Sequence, residues 1–273
     1  MLSAVKKNPV VRKLAIERHR LRRQLSWHAA TTKYAIERAL IPLPYKTFSH
    51  KSLLLRKLGD ADMRLQHNKV TNLRLAAQCI NKIVIRPGET FSLWKLVGRP
   101  TAKRGFLPGM LLSNGDVTEG VGGGLCQMAN LLYWMVLHSP LTVTERYHHS
   151  FDAFPDSGRV LPFGSGATIF YNYVDLQFRN DTPHAFELNV WVDDEYLQGE
   201  LRCDTELPVS YSVQERDHQF TFDTKQNKYY RQNKLYRKLT DRKTGNLLDE
   251  QFLYANYSEM KYQPPIGVHI TTI

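Results

Sequence analysis

Apolar and polar residues follow two different periods along this chain. In residues 60–83 the apolar side chains recur at helical spacing and predict a helix, with Met63, Leu65, Val70, Leu73, Leu75, Ala76, Cys79 and Ile80 on its apolar positions. Residues 10–40 predict one or two further helices, whose thin apolar face is interleaved with arginines. An apolar run from Cys126 to His138 predicts another helix, which Ser139-Pro140 ends.

Strand-like patterns fill much of the remaining chain. Residues 110–118 predict a hairpin that turns at Asn114-Gly115, and residues 89–97 and 141–150 predict single strands. The clear alternation in residues 167–179 and 185–192 predicts a second hairpin.

The order of these elements predicts an α+β fold. We expect basic N-terminal helices, a central helix that starts at a glycine-rich cysteine turn and packs on a mainly antiparallel sheet, and a C-terminal β meander. The predicted regions are a basic helical N-terminal region over 1–60, a core domain over 61–200 and a β-rich extension over 201–273.

Positive charge is concentrated at the N-terminus. Residues 1–70 hold 16 Lys and Arg against 4 Asp and Glu, a balance of +12, whereas the remainder holds 21 against 22, a balance of −1. One interpretation is a solvated helix face, and the other is peripheral contact of residues 1–40 with an anionic membrane. No nucleic-acid-binding module is recognisable, so nucleic acid is not a predicted partner.

Three cysteines, Cys79, Cys126 and Cys203, are too few for a disulfide framework and fit a reducing compartment. Residues 1–9 lack the apolar segment of a signal peptide, and no apolar run reaches the ~18 residues of a membrane span. We therefore predict a cytoplasmic protein, with peripheral membrane contact left open. No spacing typical of a zinc site is present, and no metal or cofactor is predicted.

Residues 119–127, Glu-Gly-Val-Gly-Gly-Gly-Leu-Cys-Gln, are the most distinctive stretch of the sequence. Glycines allow positive φ and a close approach of other groups to the backbone. Cys126 would lie in the first helical turn, where free N–H groups and the helix dipole favour a thiolate. The alternative is a glycine-rich turn before a buried helix, with Cys126 as a small core residue.

A cysteine nucleophile needs a base and a group that orients the base. Cys126 is followed along the chain by His148 and His149 and then by Asp175, an order that supports a catalytic set of Cys126, His149 and Asp175. Each also has an ordinary alternative, since histidines occur at loop edges and an aspartate in a strand can pair with a neighbouring arginine.

Oxyanion or substrate contacts are predicted around this set. Main-chain N–H groups of residues 124–127 and the Gln127 side-chain amide would hold an oxyanion, and Arg146 would bind a substrate carboxylate or serve in a structural ion pair. The predicted oxyanion and substrate-binding residues are Gly123, Gly124, Gln127, Arg146, His148 and Ser150.

Several spaced motifs make residues from about 85 to 192 resemble the VanW family. They are 86–92 (Arg-Pro-Gly-Glu-Thr-Phe-Ser), 97–105, 122–127 (Gly-Gly-Gly-Leu-Cys-Gln), 145–146 with 149–150, and 175–180 (Asp-Leu-Gln-Phe-Arg-Asn). The family pattern often has an Asp at the position of Gly166, so an orienting role would pass here to Asp152, Asp156 or Asp175. The resemblance implies a link to glycopeptide resistance and peptidoglycan metabolism.

Two hypotheses follow, from different classes of protein. The first is a thiol-dependent enzyme in which Cys126 attacks an acyl or amide carbon of a peptide or cell-wall precursor and His149 shuttles the proton. The second is a non-catalytic module that binds an anionic cell-wall precursor at the glycine-rich helix start, held at the membrane by its basic N-terminus.

Overall fold

The structure is a computed structural model that describes residues 9–29, 31–55, 62–113, 116–148, 151–152 and 161–273. Within these ranges there are four α-helices and a short 3-10 turn at Ala102–Arg104. The helices are α1 (Pro9–Ala29), α2 (Met63–Ile80), α3 (Leu93–Val97) and α4 (Cys126–Leu137). None of the helices in the described ranges has both the length and the apolar character needed to cross a bilayer.

The strands of the described residues form four sheets. A four-stranded antiparallel sheet has the order β1 (Tyr45–Leu53), β10 (Tyr196–Cys203), β9 (Phe186–Val192), β2 (Ile83–Ile85). A three-stranded sheet has the order β3 (Thr90–Ser92), β8 (Gln177–Arg179), β6 (Thr142–Glu145), and β4 (Pro108–Ser113) pairs with β5 (Asp116–Val121). A five-stranded sheet has the order β14 (Ile270–Thr272), β11 (Val209–Asp223), β12 (Lys228–Asp241), β13 (Leu247–Met260), β7 (Phe151–Asp152).

The hydrophobic core lies where α2 and α4 pack on the four-stranded sheet. Residues 131–137 of α4 are all buried, as expected for a helix that is apolar all round. Gly199 of β10 lets α4 approach closely, because a Cβ there would lie 2.4 Å from Met135 Sδ. The second half of α4 is therefore fixed against β10, and its first turn follows directly after the glycine-rich turn.

The α+β class is confirmed, as are several individual elements. The helix predicted over 60–83 is α2, and the helix predicted from Cys126 is α4. The hairpin predicted over 110–118 is β4 and β5, whose turn at Asn114-Gly115 lies outside the described residues. The C-terminal meander is confirmed, but its strands are 14 to 15 residues long where short strands were predicted.

The prediction of helix through residue 40 is wrong, because α1 ends at Ala29. The chain beyond it runs extended beside β2 and β3: Ala35 N donates to Thr90 O, and Val84 N donates to Glu37 O. Residues 45–53 were assigned to a helical N-terminal region but form β1, an edge strand of the core sheet. Pairing with these strands gives the backbone the hydrogen bonds that a helix would have supplied.

Two strand predictions are also wrong. Residues 89–97 form β3 and then α3, because Ser92 Oγ accepts from Lys95 N and caps the helix. Residues 167–179 and 185–192 do not pair as a hairpin, since β8 pairs with β3 and β6 while β9 pairs with β10 and β2. The chain changes sheet at Asn180, whose buried side chain donates to Ile85 O and His184 O.

Candidate functional site

The glycine turn before α4 is explained by local geometry. Gly122 and Gly124 have φ of 80° and 90°, which residues with a side chain rarely adopt. Gly123 touches the backbone of Gly109, because a Cβ on Gly123 would lie 2.1 Å from the Gly109 carbonyl oxygen. The side chain of Asn72, which is fully buried on α2, donates to Gly123 O and so ties the turn to α2. Each of the three glycines is therefore required by the fold itself.

Four donors at the predicted oxyanion site, three in the main chain and one in the Gln127 side chain, are occupied by other groups of the protein. Gly123 N donates to Gly120 O at 3.0 Å, Gly124 N to Met110 O at 2.8 Å and Gln127 N to Gly124 O at 3.1 Å. The Gln127 side-chain amide donates to Ser52 Oγ at 2.9 Å and to Leu53 O at 2.8 Å, and so anchors the end of β1 to α4. An oxyanion role for Gly123, Gly124 and Gln127 would require these bonds to break.

The thiol of Cys126 lies in a partly buried position against the core, with Sγ 4.0 Å from Ile169 O. Burial raises the pKa of this thiol, although it occupies the first turn of α4. The expectation of a lowered pKa is therefore wrong, because loss of hydration outweighs any help from the helix terminus. The other two cysteines, Cys79 and Cys203, are also free thiols.

Residues 164–169 run along the same face of α4 as Cys126. Asn130, one turn after the cysteine, accepts a hydrogen bond from Ala167 N at 2.7 Å. A Cβ at Gly166 would lie 2.8 Å from Asn130 Oδ1, which is closer than real Cβ contacts. A glycine at position 166 therefore matches the close approach of this segment to α4.

Asp175 is fully buried and caps the start of α3. Its carboxylate accepts from Ser92 Oγ at 2.6 Å, Trp94 N at 3.1 Å, Leu176 N at 2.9 Å and Gln177 Nε2 at 3.2 Å. None of these donors is a histidine. Burial raises the pKa of Asp175 to about 6, since desolvation outweighs the hydrogen bonds that favour the carboxylate.

Glu145 joins this cluster and was missed as a site residue by the sequence reasoning. Its carboxylate pairs with Arg23 of α1 through two hydrogen bonds of 2.5 and 2.6 Å. It also accepts from Asp175 N and from Gln177 Nε2, both at 3.0 Å. The basic N-terminal helix is thus docked on the polar cluster of the core, a contact across 122 residues that no local pattern reveals.

Arg146 has a structural role. Its guanidinium donates to Gly166 O at 3.0 and 2.8 Å and to Gly164 O at 2.5 Å. It lies between the rings of Tyr133 and Tyr254, at 4.8 and 4.4 Å from their centroids. The binding of a substrate carboxylate stays a prediction. Among the described residues the hydrogen-bond acceptors of this guanidinium are carbonyl oxygens, so the alternative of a structural ion pair is not found within that part of the chain.

A cavity of about 380 Å³ lies beside Arg146, between α4, β6 and the five-stranded sheet. Its lining includes a second arginine, Arg237 of β12, which donates to Gln251 Oε1 at 3.0 and 2.6 Å and to Ser139 O at 3.1 Å. Burial lowers the pKa of Arg237 from its usual high value. Sequence reasoning missed this residue because it lies in the meander, far along the chain from Arg146. Cys126 is not among the residues that line the cavity.

The remaining predicted residues are not assembled with Cys126 by any described contact. His148 is exposed at the end of the described segment, and His149, Ser150 and Asp156 lie outside the described residues. Asp152 contacts the C-terminal sheet, where Tyr262 Oη donates to its carboxylate at 2.6 Å and Arg231 Nη1 lies at 3.3 Å. The catalytic set of Cys126, His149 and Asp175 therefore stays a prediction.

Fold and site together define an α+β protein in which a buried helix, introduced by a triple-glycine turn, packs on an antiparallel sheet. The family model described as VanW like protein matches residues 68–202. The chain is 36% identical over 228 residues to the vancomycin B-type resistance protein VanW of Enterococcus faecalis, covering 84% of this chain and 82% of that protein. It therefore belongs to the VanW family.

A shorter similarity extends to the uncharacterized protein YoaR of Bacillus subtilis. That match is 34% identical over 109 residues and covers 40% of this chain and 34% of YoaR. No solved structure matches the chain.

Proposed function

We propose that this chain is an accessory protein of glycopeptide (vancomycin) resistance that recognises a peptide-like cell-wall precursor without forming a covalent bond to it. The named function of the Enterococcus faecalis relative, similar over most of both chains, supports the resistance link. The observation that carries the choice of binding over catalysis is the environment of Cys126. Burial raises the pKa of its thiol, and the main-chain amides of Gly124 and Gln127 in the same turn already donate to protein carbonyls.

A thiol-dependent enzyme is the second candidate. It is favoured by the partial exposure of Cys126 and by its place in the first turn of a helix. In that mechanism the thiolate would attack an acyl or amide carbon and His149 would carry the proton, with Asp175 or another carboxylate orienting the ring.

Substitution of the cysteine separates the two candidates. The chain would be expressed in an Enterococcus faecalis strain that lacks its own VanW gene, as wild type, Cys126→Ala and the control Cys79→Ser. We expect wild type to raise the inhibitory concentration of vancomycin and Cys126→Ala to raise it equally. Loss of the effect in Cys126→Ala alone, with an unchanged thermal melting curve, would favour the enzyme. No effect of wild type would remove the resistance role.

We also propose that α1 holds the protein at an anionic membrane surface. Four apolar side chains of α1 are 57 to 66% exposed and lie along one side of the helix: Val10, Leu14, Leu21 and Leu25. Exposed Arg18 and Arg22 lie beside this stripe. The inner side is held by the core, since Arg20 Nε donates to Tyr171 O and Arg23 pairs with Glu145. An apolar stripe beside basic residues is typical of helices that lie on membranes.

Vesicle sedimentation tests this second proposal. Wild type should sediment with phosphatidylglycerol vesicles at low salt and much less with phosphatidylcholine vesicles. Leu21→Glu/Leu25→Glu should lose the binding, whereas Ile266→Glu, a change at a fully exposed residue of another surface, should keep it. Equal, negligible sedimentation of wild type with both lipids would refute the membrane contact.

A further inference from the structure

Two positively charged side chains, Arg146 and Arg237, line the cavity beside β6. Among the described residues neither Arg146 nor Arg237 pairs with a carboxylate, and the oxygen atoms that they contact belong to neutral carbonyls and an amide. The one carboxylate of the lining, Glu145, is already paired with Arg23 through two hydrogen bonds. Burying a cation without a counter-charge is unfavourable, so an anion that enters this cavity gains from both guanidinium groups.

Donors remain available for such an anion. A guanidinium carries five N–H groups, and the described bonds of Arg146 use only Nε and Nη2. Its Nη1 group therefore takes no part in the contacts of the described residues. The flanking Tyr133 and Tyr254 stay protonated at neutral pH, because burial raises the pKa of both hydroxyls, and so they add no competing negative charge.

The rest of the lining sets the size and polarity of the ligand. Three leucines supply apolar walls: Leu137, Leu141 and Leu253. A volume of about 380 Å³ lies at the lower end of the range for small-molecule sites. One wall is β6, which lies at the edge of its sheet beside β8. An edge strand can pair with the main chain of an extended peptide.

We propose that this cavity binds the free C-terminal carboxylate of a short peptide with small apolar side chains, and that Arg146 and Arg237 hold the carboxylate. This assignment rests on the proposed function, to which it adds a ligand class and a binding site. Arg237 is the specificity residue of the pair that can be tested cleanly, since Arg146 also holds residues 164–166 in place.

Isothermal titration of the purified full chain tests the proposal. The ligand used is alanyl-alanine, in its L,L and D,D forms because the lining does not fix the handedness, and the matched control is the same dipeptide with a C-terminal amide. Acetate and inorganic phosphate serve as free anions. We expect one of the dipeptides to bind at millimolar concentration or below, and its amide to bind at least about tenfold more weakly.

The variants are Arg237→Gln, Arg237→Lys and Lys225→Gln. Arg237→Gln should weaken dipeptide binding by about tenfold or more, and Arg237→Lys should restore part of it because the charge remains without the two-pronged geometry. Lys225→Gln removes the same charge at an exposed turn of the same sheet and should bind as wild type.

Any of three results would overturn the assignment. The dipeptide amide could bind as tightly as the free dipeptide, or the Arg237→Gln variant could bind the dipeptide as tightly as wild type does. The third is that acetate or phosphate binds as tightly as the dipeptide. Absent dipeptide binding in a protein that does raise vancomycin resistance would remove the cavity assignment alone. Dipeptide binding in a protein without effect on resistance would instead remove the proposed function.

Discussion

Asp175 makes the free energy of unfolding depend on pH, in a direction that is unusual for a carboxyl group. Burial raises the pKa of this group from 3.8 to about 6, with the charge of Glu145 acting in the same direction. Between about pH 4 and pH 6 the native protein keeps a proton that the unfolded chain has lost. The contribution of Asp175 to the free energy of unfolding should therefore fall as pH rises through this window. A shift of about two pKa units corresponds to a decrease of about 3 kcal/mol.

The variant Asp175→Asn isolates this contribution, because asparagine does not ionise and the other carboxyl groups are common to both proteins. Urea unfolding of each protein at intervals from about pH 4 to pH 8 gives the free energy of unfolding at each pH. The difference, wild type minus variant, should fall by about 3 kcal/mol between pH 4 and pH 7 and then stay level.

An exposed carboxyl group supplies a control of opposite sign. Hydrogen bonds from the backbone N–H of Gln226 and its neighbours lower the pKa of Asp223. The corresponding difference for Asp223→Asn, followed down to about pH 2, should rise with pH up to about pH 4 and stay level above it, because a lowered pKa gives stability that is lost only as pH falls below the usual pKa of the group. A difference for Asp175→Asn that is level or rises with pH would refute a raised pKa for Asp175.

Two further substitutions test the glycine turn and the docking of α1. Gly123→Ala should lower the free energy of unfolding by about 2 kcal/mol or more, since a Cβ would overlap the backbone of Gly109. The control is Gly88→Ala, where a Cβ meets nothing within 4 Å, and it should cost only about 1 kcal/mol of backbone strain. Equal costs in urea unfolding would contradict this contact. Arg23→Gln removes the partner of Glu145 and should speed limited proteolysis within α1 severalfold, while an unchanged cleavage rate would show that the ion pair does not hold the helix.

The sequence predicted those elements whose signals are local. The α4 helix is specified by a glycine-rich start, a mainly apolar run and a Ser-Pro end, and the structure keeps all three features. The hairpin of β4 and β5 is likewise specified by an Asn-Gly turn between two short strand-like stretches. Such signals act over a few residues, so they can be recognised without knowledge of the tertiary structure.

Long-range pairing could not be predicted in the same way. The strands β8 and β9 follow each other along the chain and alternate well, yet they belong to different sheets because β8 pairs with β3 and β6 whereas β9 pairs with β2 and β10. The same limit applies to the candidate site. Arg237 and Arg146 lie on separate elements, and the pairing of Arg23 with Glu145 joins α1 to the end of β6, 122 residues further along the chain. The pKa of Cys126 was misjudged because its helix position is readable from the sequence and its burial is not.

We propose that the first turn of α4 has a structural role and that the Cys126 thiol stays protonated at neutral pH. The rate of iodoacetamide alkylation of Cys126 between about pH 6 and pH 10, resolved from Cys79 and Cys203 by peptide mass spectrometry, reports the thiolate fraction directly. We expect Cys126 to be alkylated slowly, with an apparent pKa above the usual thiol value of 9.0. Rapid alkylation with an apparent pKa below about 8 would contradict it and support a thiol enzyme.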